Sequence, residues 1–260
     1  MMRLLALLLL AGCATTTMER GMEKGFLLRS ATVDGVSYPY TLYVPREYDG
    51  ARPWPAILFM HGAGERGDDG LVQTEVGLAN AIRRHPERWP AIAIFPQGPE
   101  NRQWAGDVER AALAALDQTE KELRVDPDRV YLTGLSLGGA GTWSLAAQHP
   151  RRFAAVVPIC GWIVPMEDRP EYARDIRESG FDPADPYGSV ARALAAVPIW
   201  IWHGTDDKSV PVAESRRMSA ALEAAGGKAK FTELPGVGHN AWDPAYQGEE
   251  LPRWLFAQRR

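Results

Sequence analysis

The chain has 260 residues, of which 45% are hydrophobic and 24% charged, and its net charge is −4. This length and composition suit one large α/β domain with a full hydrophobic core. The lack of a basic excess argues against nucleic acid as a partner, and the two cysteines do not suggest a disulfide framework.

The N-terminus has the pattern of an export signal. A basic residue, Arg3, precedes an apolar run over 4–11 that is too short to span a bilayer. The run ends in Leu10-Ala11-Gly12-Cys13, which resembles a bacterial lipobox. The resemblance implies a signal peptide over 1–12 that is cleaved off, lipidation of Cys13 on its thiol and its new amine, and a tether over 13–25.

This resemblance predicts a protein of the bacterial cell envelope. Alanine rather than aspartate follows the cysteine, which resembles the signals of proteins sent on to the outer membrane. We therefore expect a lipid anchor at Cys13 that holds the protein to a membrane, the outer rather than the inner one, or else an exported protein. Two alternatives stay open: an ordinary signal peptide, and a cytoplasmic protein whose true start is Met18 or Met22.

A hairpin and two buried strands are predicted next, at the start of a folded domain over 26–260. The segments 26–33 and 36–44 are strand-like and meet at Asp34-Gly35, a hairpin signal. Continuous apolar runs over 56–60 and 91–95 are typical of strands that are covered on both faces.

The rest of the chain alternates between strands and helices. Strands are predicted over 129–133, 154–159, 198–202 and 228–234, and helices over 107–123, 139–148, 212–225 and 251–258. This alternation after an N-terminal hairpin predicts a mostly parallel, doubly wound sheet with helices on both faces. In such a sheet, ligands bind at the carboxyl ends of the strands.

One of these strands leads directly into Gly134-Leu135-Ser136-Leu137-Gly138. Strand, Gly-x-Ser-x-Gly and helix, in this order, form the nucleophile elbow of the α/β-hydrolase fold. The turn is so tight that the positions two before and two after the serine need glycine. It lifts the hydroxyl of Ser136, the predicted nucleophile, above the sheet edge and aims the N–H of Leu137 at the reacting carbonyl.

A serine hydroxyl is a poor nucleophile and needs a base. Of the five histidines, His239 lies in the loop after the last strand and is the predicted base, whereas His203 is expected to pack beside the site. The base needs a carboxylate to fix its tautomer, and Asp206 and Asp207 compete for this role. The pattern His-Gly-x-x-Asp-x-x-Val-Pro, frequent among α/β-hydrolases, favours Asp207, and the resulting chain order Ser, Asp, His is the hydrolase order.

The second half of the oxyanion hole is predicted in the glycine-rich segment 61–67, after the third strand. Ala63 is the preferred N–H donor there, with Gly62 as the alternative, and it would act together with Leu137. No spacing of metal ligands is found in the sequence.

Three tryptophans are the predicted substrate-binding walls: Trp104, Trp162 and Trp242. They lie at strand or loop ends near the predicted triad, and aromatic walls suit a sugar or an aryl group. Packing in the core or at the rim of the site is the alternative for each of them.

Several motifs together resemble one group of α/β-hydrolases. They are Leu42-Tyr43-Val44-Pro45, the segment 59–67, Pro96-Gln97, and the segments 134–139, 158–161 and 235–242. The chain is similar to the compact carboxylesterases related to polyhydroxybutyrate depolymerases and feruloyl esterases, which are often labelled predicted peptidases or phospholipases. The resemblance covers 26–256 and implies ester hydrolysis through an acyl-enzyme, without a cofactor.

One segment departs from this resemblance. Residues 162–183 are long, charged and interrupted by prolines, where a shorter loop is expected, and they are a candidate cap over the site. We expect a serine esterase that acts on small-molecule or polysaccharide-linked esters, such as carbohydrate-linked acyl or aryl esters. The alternatives are a serine peptidase of prolyl-oligopeptidase type, a non-catalytic envelope lipoprotein that binds a ligand, and acyl transfer in place of hydrolysis.

Overall fold

The computed structural model describes residues 23–164, 179 and 181–260. Four predicted features therefore lie wholly or mostly outside the described residues: the signal peptide, the lipidation site Cys13, the tether and the candidate cap over 162–183.

Eight strands of the described chain form one sheet. They are β1 Gly25–Val33, β2 Val36–Val44, β3 Trp54–Met60, β4 Ile92–Pro96, β5 Val125–Leu135, β6 Ala155–Ile159, β7 Ile199–Gly204 and β8 Ala229–Leu234. Their order across the sheet is β1-β2-β4-β3-β5-β6-β7-β8. The pairs β1–β2 and β2–β4 are antiparallel, and every later pair is parallel. This confirms the predicted hairpin and the mostly parallel sheet.

Helices cover both faces of the sheet. They are α1 Leu78–Arg84, α2 Asp107–Glu122, α3 Leu137–Gln148, α4 Pro186–Leu194, α5 Ala213–Ala224, α6 Trp242–Gln247 and α7 Glu250–Phe256. One core contains buried residues of α2, α3, α4 and α5, and the other contains those of α1, α6 and α7. Neighbouring residues of β3 enter opposite cores, Leu58 with the first and Phe59 with the second, as the two-residue period of a strand requires.

Most predicted boundaries differ from the structure by one or two residues, and the start of β5 differs by four. β5 begins at Val125 rather than at residue 129, because Val125 already pairs with Trp54 of β3. The helix after the elbow begins at Leu137, two residues earlier than predicted, so that Ser136 touches its first turn directly. Within the part of the chain that the structure describes, no helix is both long and apolar enough to cross a membrane.

Candidate active site

Ser136 lies between the carboxyl end of β5 and the first residue of α3. Its φ of 53° is in the left-handed region, which is uncommon for a residue other than glycine. The N–H of Ser136 donates to the carbonyl of Ile159 at 2.9 Å, which fixes the turn against β6. A Cβ on Gly138 would overlap the carbonyl of Met60, so glycine there lets α3 start against β3. The turn predicted from Gly-x-Ser-x-Gly is therefore formed.

The structure brings the three predicted triad residues together. The Nε2 of His239 is 2.9 Å from the Oγ of Ser136, and its Nδ1 is 2.7 Å from the Oδ2 of Asp207. A carboxylate only accepts hydrogen bonds, so the proton of a neutral imidazole lies on Nδ1 and Nε2 can accept from the serine hydroxyl. This chain of contacts can activate Ser136 as a nucleophile.

The sheet places the acid and the base side by side. Asp207 follows β7 and His239 follows β8, and these two strands are parallel neighbours up to Gly204 and Leu234. The N–H of Asp206 donates to the carbonyl of Val237 at 2.9 Å, which ties the two loops together. Adjacent parallel strands thus bring two residues 32 positions apart into contact.

The carboxylate of Asp207 is buried and held from several sides. Its Oδ1 accepts the N–H groups of Ser209 at 2.8 Å and Val210 at 2.9 Å, and the Nε2 of His203 lies 3.2 Å from its Oδ2. Burial by itself would raise the pKa of Asp207. The hydrogen bonds from His203, His239 and Val210 outweigh that effect and hold the pKa well below its usual range. Asp207 is therefore ionised wherever the base can act.

The loop after β3 faces Ser136 from the other side. Ala63 begins a short 3-10 helix over Ala63–Glu65, and the Nε of Arg66 donates to its carbonyl at 2.9 Å. Leu137 is the first residue of α3, so its N–H has no acceptor within the helix. Ala63 lines the same cavity as Ser136, and Leu137 follows Ser136 in the chain, so their N–H groups stay the predicted donors of an oxyanion hole.

His61 holds this loop to a neighbouring segment of the chain. Its ring is buried, with Nε2 accepting the N–H of Gly98 at 2.9 Å and Nδ1 donating to the carbonyl of Gly62 at 2.6 Å. Burial lowers the pKa of His61 to about 4. A neutral imidazole of fixed tautomer therefore joins the loop to the segment after β4.

A cavity of about 230 Å³ opens above Ser136. It is lined by Gly62, Ala63, Gly64, Glu65, Leu135, Ser136, Trp162, Ser209, Val210, His239 and Trp242. Two of the three predicted aromatic walls, Trp162 and Trp242, are among these residues. The ring of Trp242 also contacts that of His239 edge to face, with their centroids 5.3 Å apart.

The structure does not bring Trp104 to this cavity, which corrects its predicted contact with substrate. Its side chain is 2% exposed, and its Nε1 donates to the carbonyl of His61 at 3.0 Å. Its ring packs on the ring of His61 with a centroid distance of 4.8 Å. Trp104 therefore stabilises the loop after β3 through its contacts with His61. Ser209 and Glu65 also line the cavity, but neither was predicted to do so. Both lie inside motifs that were used to locate other residues, Glu65 in 61–67 and Ser209 in the pattern that contains Asp207.

One group of side chains among the described residues has the composition of a metal site: Cys160, Asp207 and His239, whose ligand atoms lie within 4.8 Å of one another. A metal would need the thiolate of Cys160, but the thiol is fully buried and burial raises its pKa strongly. Asp207 and His239 are already bonded to each other. The contacts of the triad therefore account for this group.

Comparison with known proteins places the chain among α/β-hydrolases. The profile described as the Prolyl oligopeptidase family matches residues 101–257, more than half of the chain. A solved structure described as a thermostable esterase superposes with a TM-score of 0.76 at 30% identity, over 90% of this chain and 63% of that one. The fold predicted from the elbow motif is thereby confirmed.

Two curated proteins show the same similarity in sequence. The probable feruloyl esterase C of Aspergillus niger is 31% identical over 132 residues, which are 48% of this chain and 47% of that protein. An uncharacterized secreted protein of Arthroderma benhamiae is 26% identical over 207 residues, which are 71% of this chain and 21% of that protein. The chain thus spans between a fifth and a half of the length of these relatives.

Proposed function

We propose that the chain, which belongs to the prolyl oligopeptidase family, is a serine carboxylic-ester hydrolase. The observation that carries the proposal is the line of contacts from Ser136 through His239 to Asp207, at 2.9 Å and 2.7 Å. Its similarity to a feruloyl esterase and to a thermostable esterase supports ester rather than peptide bonds as the target.

In the first half of the reaction, the Oγ of Ser136 attacks the ester carbonyl while the Nε2 of His239 takes the hydroxyl proton. The N–H groups of Leu137 and Ala63 hold the developing oxyanion. Asp207 accepts the Nδ1–H of His239 and stabilises the imidazolium that forms. The C–O bond to the alcohol then breaks, and His239 gives its proton to the leaving oxygen. The acyl group stays on Ser136.

In the second half, water attacks the acyl-enzyme. His239 takes a proton from the water, and the same oxyanion donors hold the second tetrahedral intermediate. The bond between the acyl carbon and the Oγ of Ser136 then breaks, Oγ takes the proton from His239, and the carboxylic acid is released. The residues that carry out both halves are Ser136, His239, Asp207, Leu137 and Ala63.

The substrate class is proposed from the cavity walls. The partly exposed Trp242 and the nearly buried Trp162 line the cavity at Ser136, and this aromatic lining suits an aryl group or the face of a sugar ring. We therefore favour acyl or aryl esters linked to carbohydrate. Peptide hydrolysis, which the name of the family suggests, is the competing activity.

The purified domain tests the proposal on a panel of p-nitrophenyl, feruloyl, acetyl-sugar and peptide substrates. We expect turnover of the esters and little or none of the peptides. Ser136→Ala should abolish turnover while leaving the free energy of unfolding nearly unchanged, and an organophosphonate should label Ser136 alone. Full activity of Ser136→Ala, or labelling at another serine, would refute the mechanism. Faster turnover of the peptides would favour the peptidase.

We also propose that the domain works in the cell envelope, held by a lipid on Cys13 after a signal peptide over 1–12 is removed. The Leu10-Ala11-Gly12-Cys13 sequence supports this location, and so does the similarity to a protein described as secreted. The folded domain over 26–260 would then face substrates outside the cytoplasm.

A further inference from the structure

We propose that His203 is a positioning residue that holds the carboxylate of Asp207 in the orientation that His239 needs. The proposal rests on the proposed function, because it adds a member to the chain of contacts behind Ser136. Its evidence is the set of atoms around the His203 ring.

His203 lies near the end of β7, and its side chain is 0% exposed. The Nε2 of its ring is 2.9 Å from the carbonyl of Val210 and 3.2 Å from the Oδ2 of Asp207. The Nδ1 is 2.7 Å from the Oγ of Ser215 in α5. Every ring nitrogen of this buried imidazole therefore has a polar neighbour.

These neighbours determine where the ring proton lies. A carbonyl and a carboxylate only accept hydrogen bonds, so the nitrogen that faces both of them must carry a proton. The hydroxyl of Ser215 can donate to Nδ1, which completes the ring's hydrogen bonds. The single Nε2–H of His203 is thus shared: it is hydrogen-bonded to the carbonyl of Val210 at 2.9 Å, and the same nitrogen faces the Oδ2 of Asp207 at 3.2 Å.

The carboxylate of Asp207 then has donors on both oxygens. The N–H groups of Ser209 and Val210 bind Oδ1, and His239 binds Oδ2 at 2.7 Å. The shared N–H of His203 approaches the same Oδ2, with a nitrogen–oxygen distance of 3.2 Å. Three of these four donors are part of the loop or of β7, and only His239 takes part in proton transfer. We infer that His203 prevents rotation of the carboxylate and keeps Oδ2 within 2.7 Å of the catalytic imidazole.

The experiment must distinguish positioning of the Asp207 carboxylate from a role of His203 in packing alone. Gln and Asn provide a matched pair, because both are polar and both can be buried. The amide nitrogen of Gln reaches the position of the imidazole Nε2, whereas that of Asn reaches only the position of Nδ1. His203→Gln therefore keeps the donor to Asp207, and His203→Asn removes it.

The rate at which an organophosphonate reacts with Ser136 is the primary measurement, because it does not depend on the natural substrate. We expect His203→Asn to lower this rate, and kcat for a p-nitrophenyl ester, by about 10–100-fold with little change in KM. His203→Gln should keep both within a few-fold of wild type. Urea unfolding of both variants reports any loss of stability separately.

A double-mutant cycle tests whether His203 acts through Asp207. In an Asp207→Asn background, His203→Asn should lower the phosphonylation rate no further. Equal phosphonylation rates for His203→Asn and His203→Gln would overturn the proposal. So would a His203→Asn effect in the Asp207→Asn background that is as large as its effect in the wild type. If the wild-type Ser136 did not react at all, the proposed function would fail as well. A reactive wild type with an equally reactive His203→Asn would overturn the role of His203 alone.

Discussion

Asp207 and Asp206 are adjacent carboxylates with opposite surroundings. Asp207 is buried and accepts from His239, whereas Asp206 is exposed and accepts the hydroxyl of Thr205 at 3.0 Å. Asp207→Asn should lower kcat by about 10⁴-fold, because the amide disturbs the tautomer of His239. Asp206→Asn is the matched control and should change kcat by a few-fold at most. Steady-state kinetics on a p-nitrophenyl ester decide the matter, and the reverse order of effects would transfer the role to Asp206.

His61 predicts a dependence of stability on pH. Burial lowers its pKa to about 4 from the model-peptide value of 6.5, so the unfolded chain binds a proton at a higher pH than the folded one does. The free energy of unfolding should therefore fall as pH drops from about 6.5 to about 4, by about 3 kcal/mol. Asp207 acts in the same direction, but only below its ordinary pKa of 3.8, because its folded pKa is lowered.

Urea unfolding of the wild type and of His61→Gln across pH 4 to 6.5 measures this contribution. The variant has no group to titrate at this position, so its stability should change less with pH over the same range. Equal slopes for the two proteins would show that His61 does not carry the effect. This comparison uses the slope alone, so it holds even if the substitution lowers stability at every pH.

At the scale of single residues, the sequence predicts positions that local motifs define. Ser136 and His239 were found in this way, the first from its tight turn and the second from its loop after the last strand. The environment of Trp104 could not be predicted from a motif, because the direction of a side chain depends on packing between distant elements. His203 was expected to pack beside the site, and it does, but its contact with Asp207 was not predicted, because that contact arises from the path of the loop after β7. Motifs therefore identified the reacting groups better than their supports.

At the scale of elements, the contact between β5, α3 and β3 depends on glycine in the elbow. A Cβ on Gly138 would overlap the carbonyl of Met60, whereas a Cβ on Gly64 would meet nothing within 4 Å. Gly138→Ala should lower the free energy of unfolding by about 1–3 kcal/mol through overpacking. The control Gly64→Ala should change it by at most about 0.5 kcal/mol. Urea unfolding distinguishes the two, and equal effects would contradict the proposed packing.

The segment that begins at Trp162 predicts an effect on substrate choice. Trp162 lines the cavity, and the N–H of the next residue, Ile163, donates to the Oε2 of Glu214 in α5 at 3.3 Å. Trp162→Ala should raise KM for bulky aryl or sugar esters, because it removes an aromatic wall of the cavity. It should also lower the free energy of unfolding, because the ring is 2% exposed and packs in the core. Turnover of a p-nitrophenyl acetate and the rate of phosphonylation should change little. Equal losses for small and bulky esters would contradict a role in specificity. Whether the rest of 162–183 forms a cap stays a prediction.

Elements with a strong pattern could be predicted, and short ones could not. Strands such as β3 and β4 are buried on both faces, so their continuous apolar runs were visible in the sequence. The helices α1 and α6 have seven and six residues, too few for a helical period of apolar positions to appear. The early start of β5 was missed because Asp126-Pro127 suggests a turn, although the strand pairs there with Trp54.

At the scale of the whole molecule, the sheet separates the N-terminal end of the domain from the site. The first residue of β1, Gly25, pairs with Val44 at the carboxyl end of β2. Because β2 is antiparallel to β4, that end of β2 lies toward the amino end of β4, where Tyr43 pairs with Ala93. The triad lies at the carboxyl ends of the parallel strands. Any tether to Gly25 therefore joins the domain at the edge opposite Ser136.

This arrangement makes a prediction about the proposed anchor. A lipid on Cys13 would hold the domain to a membrane at the edge opposite Ser136, so that the cavity stays open to esters in solution. Cys13→Ser should therefore move the protein from the membrane fraction to the soluble fraction without changing kcat/KM for a soluble p-nitrophenyl ester. Fractionation, together with mass spectrometry of the mature N-terminus, measures the first effect, and steady-state kinetics measure the second. A native protein that is soluble and begins at a residue other than Cys13 would refute the anchor. A lipidated protein whose kcat/KM rises on release would instead place the membrane close to the active site.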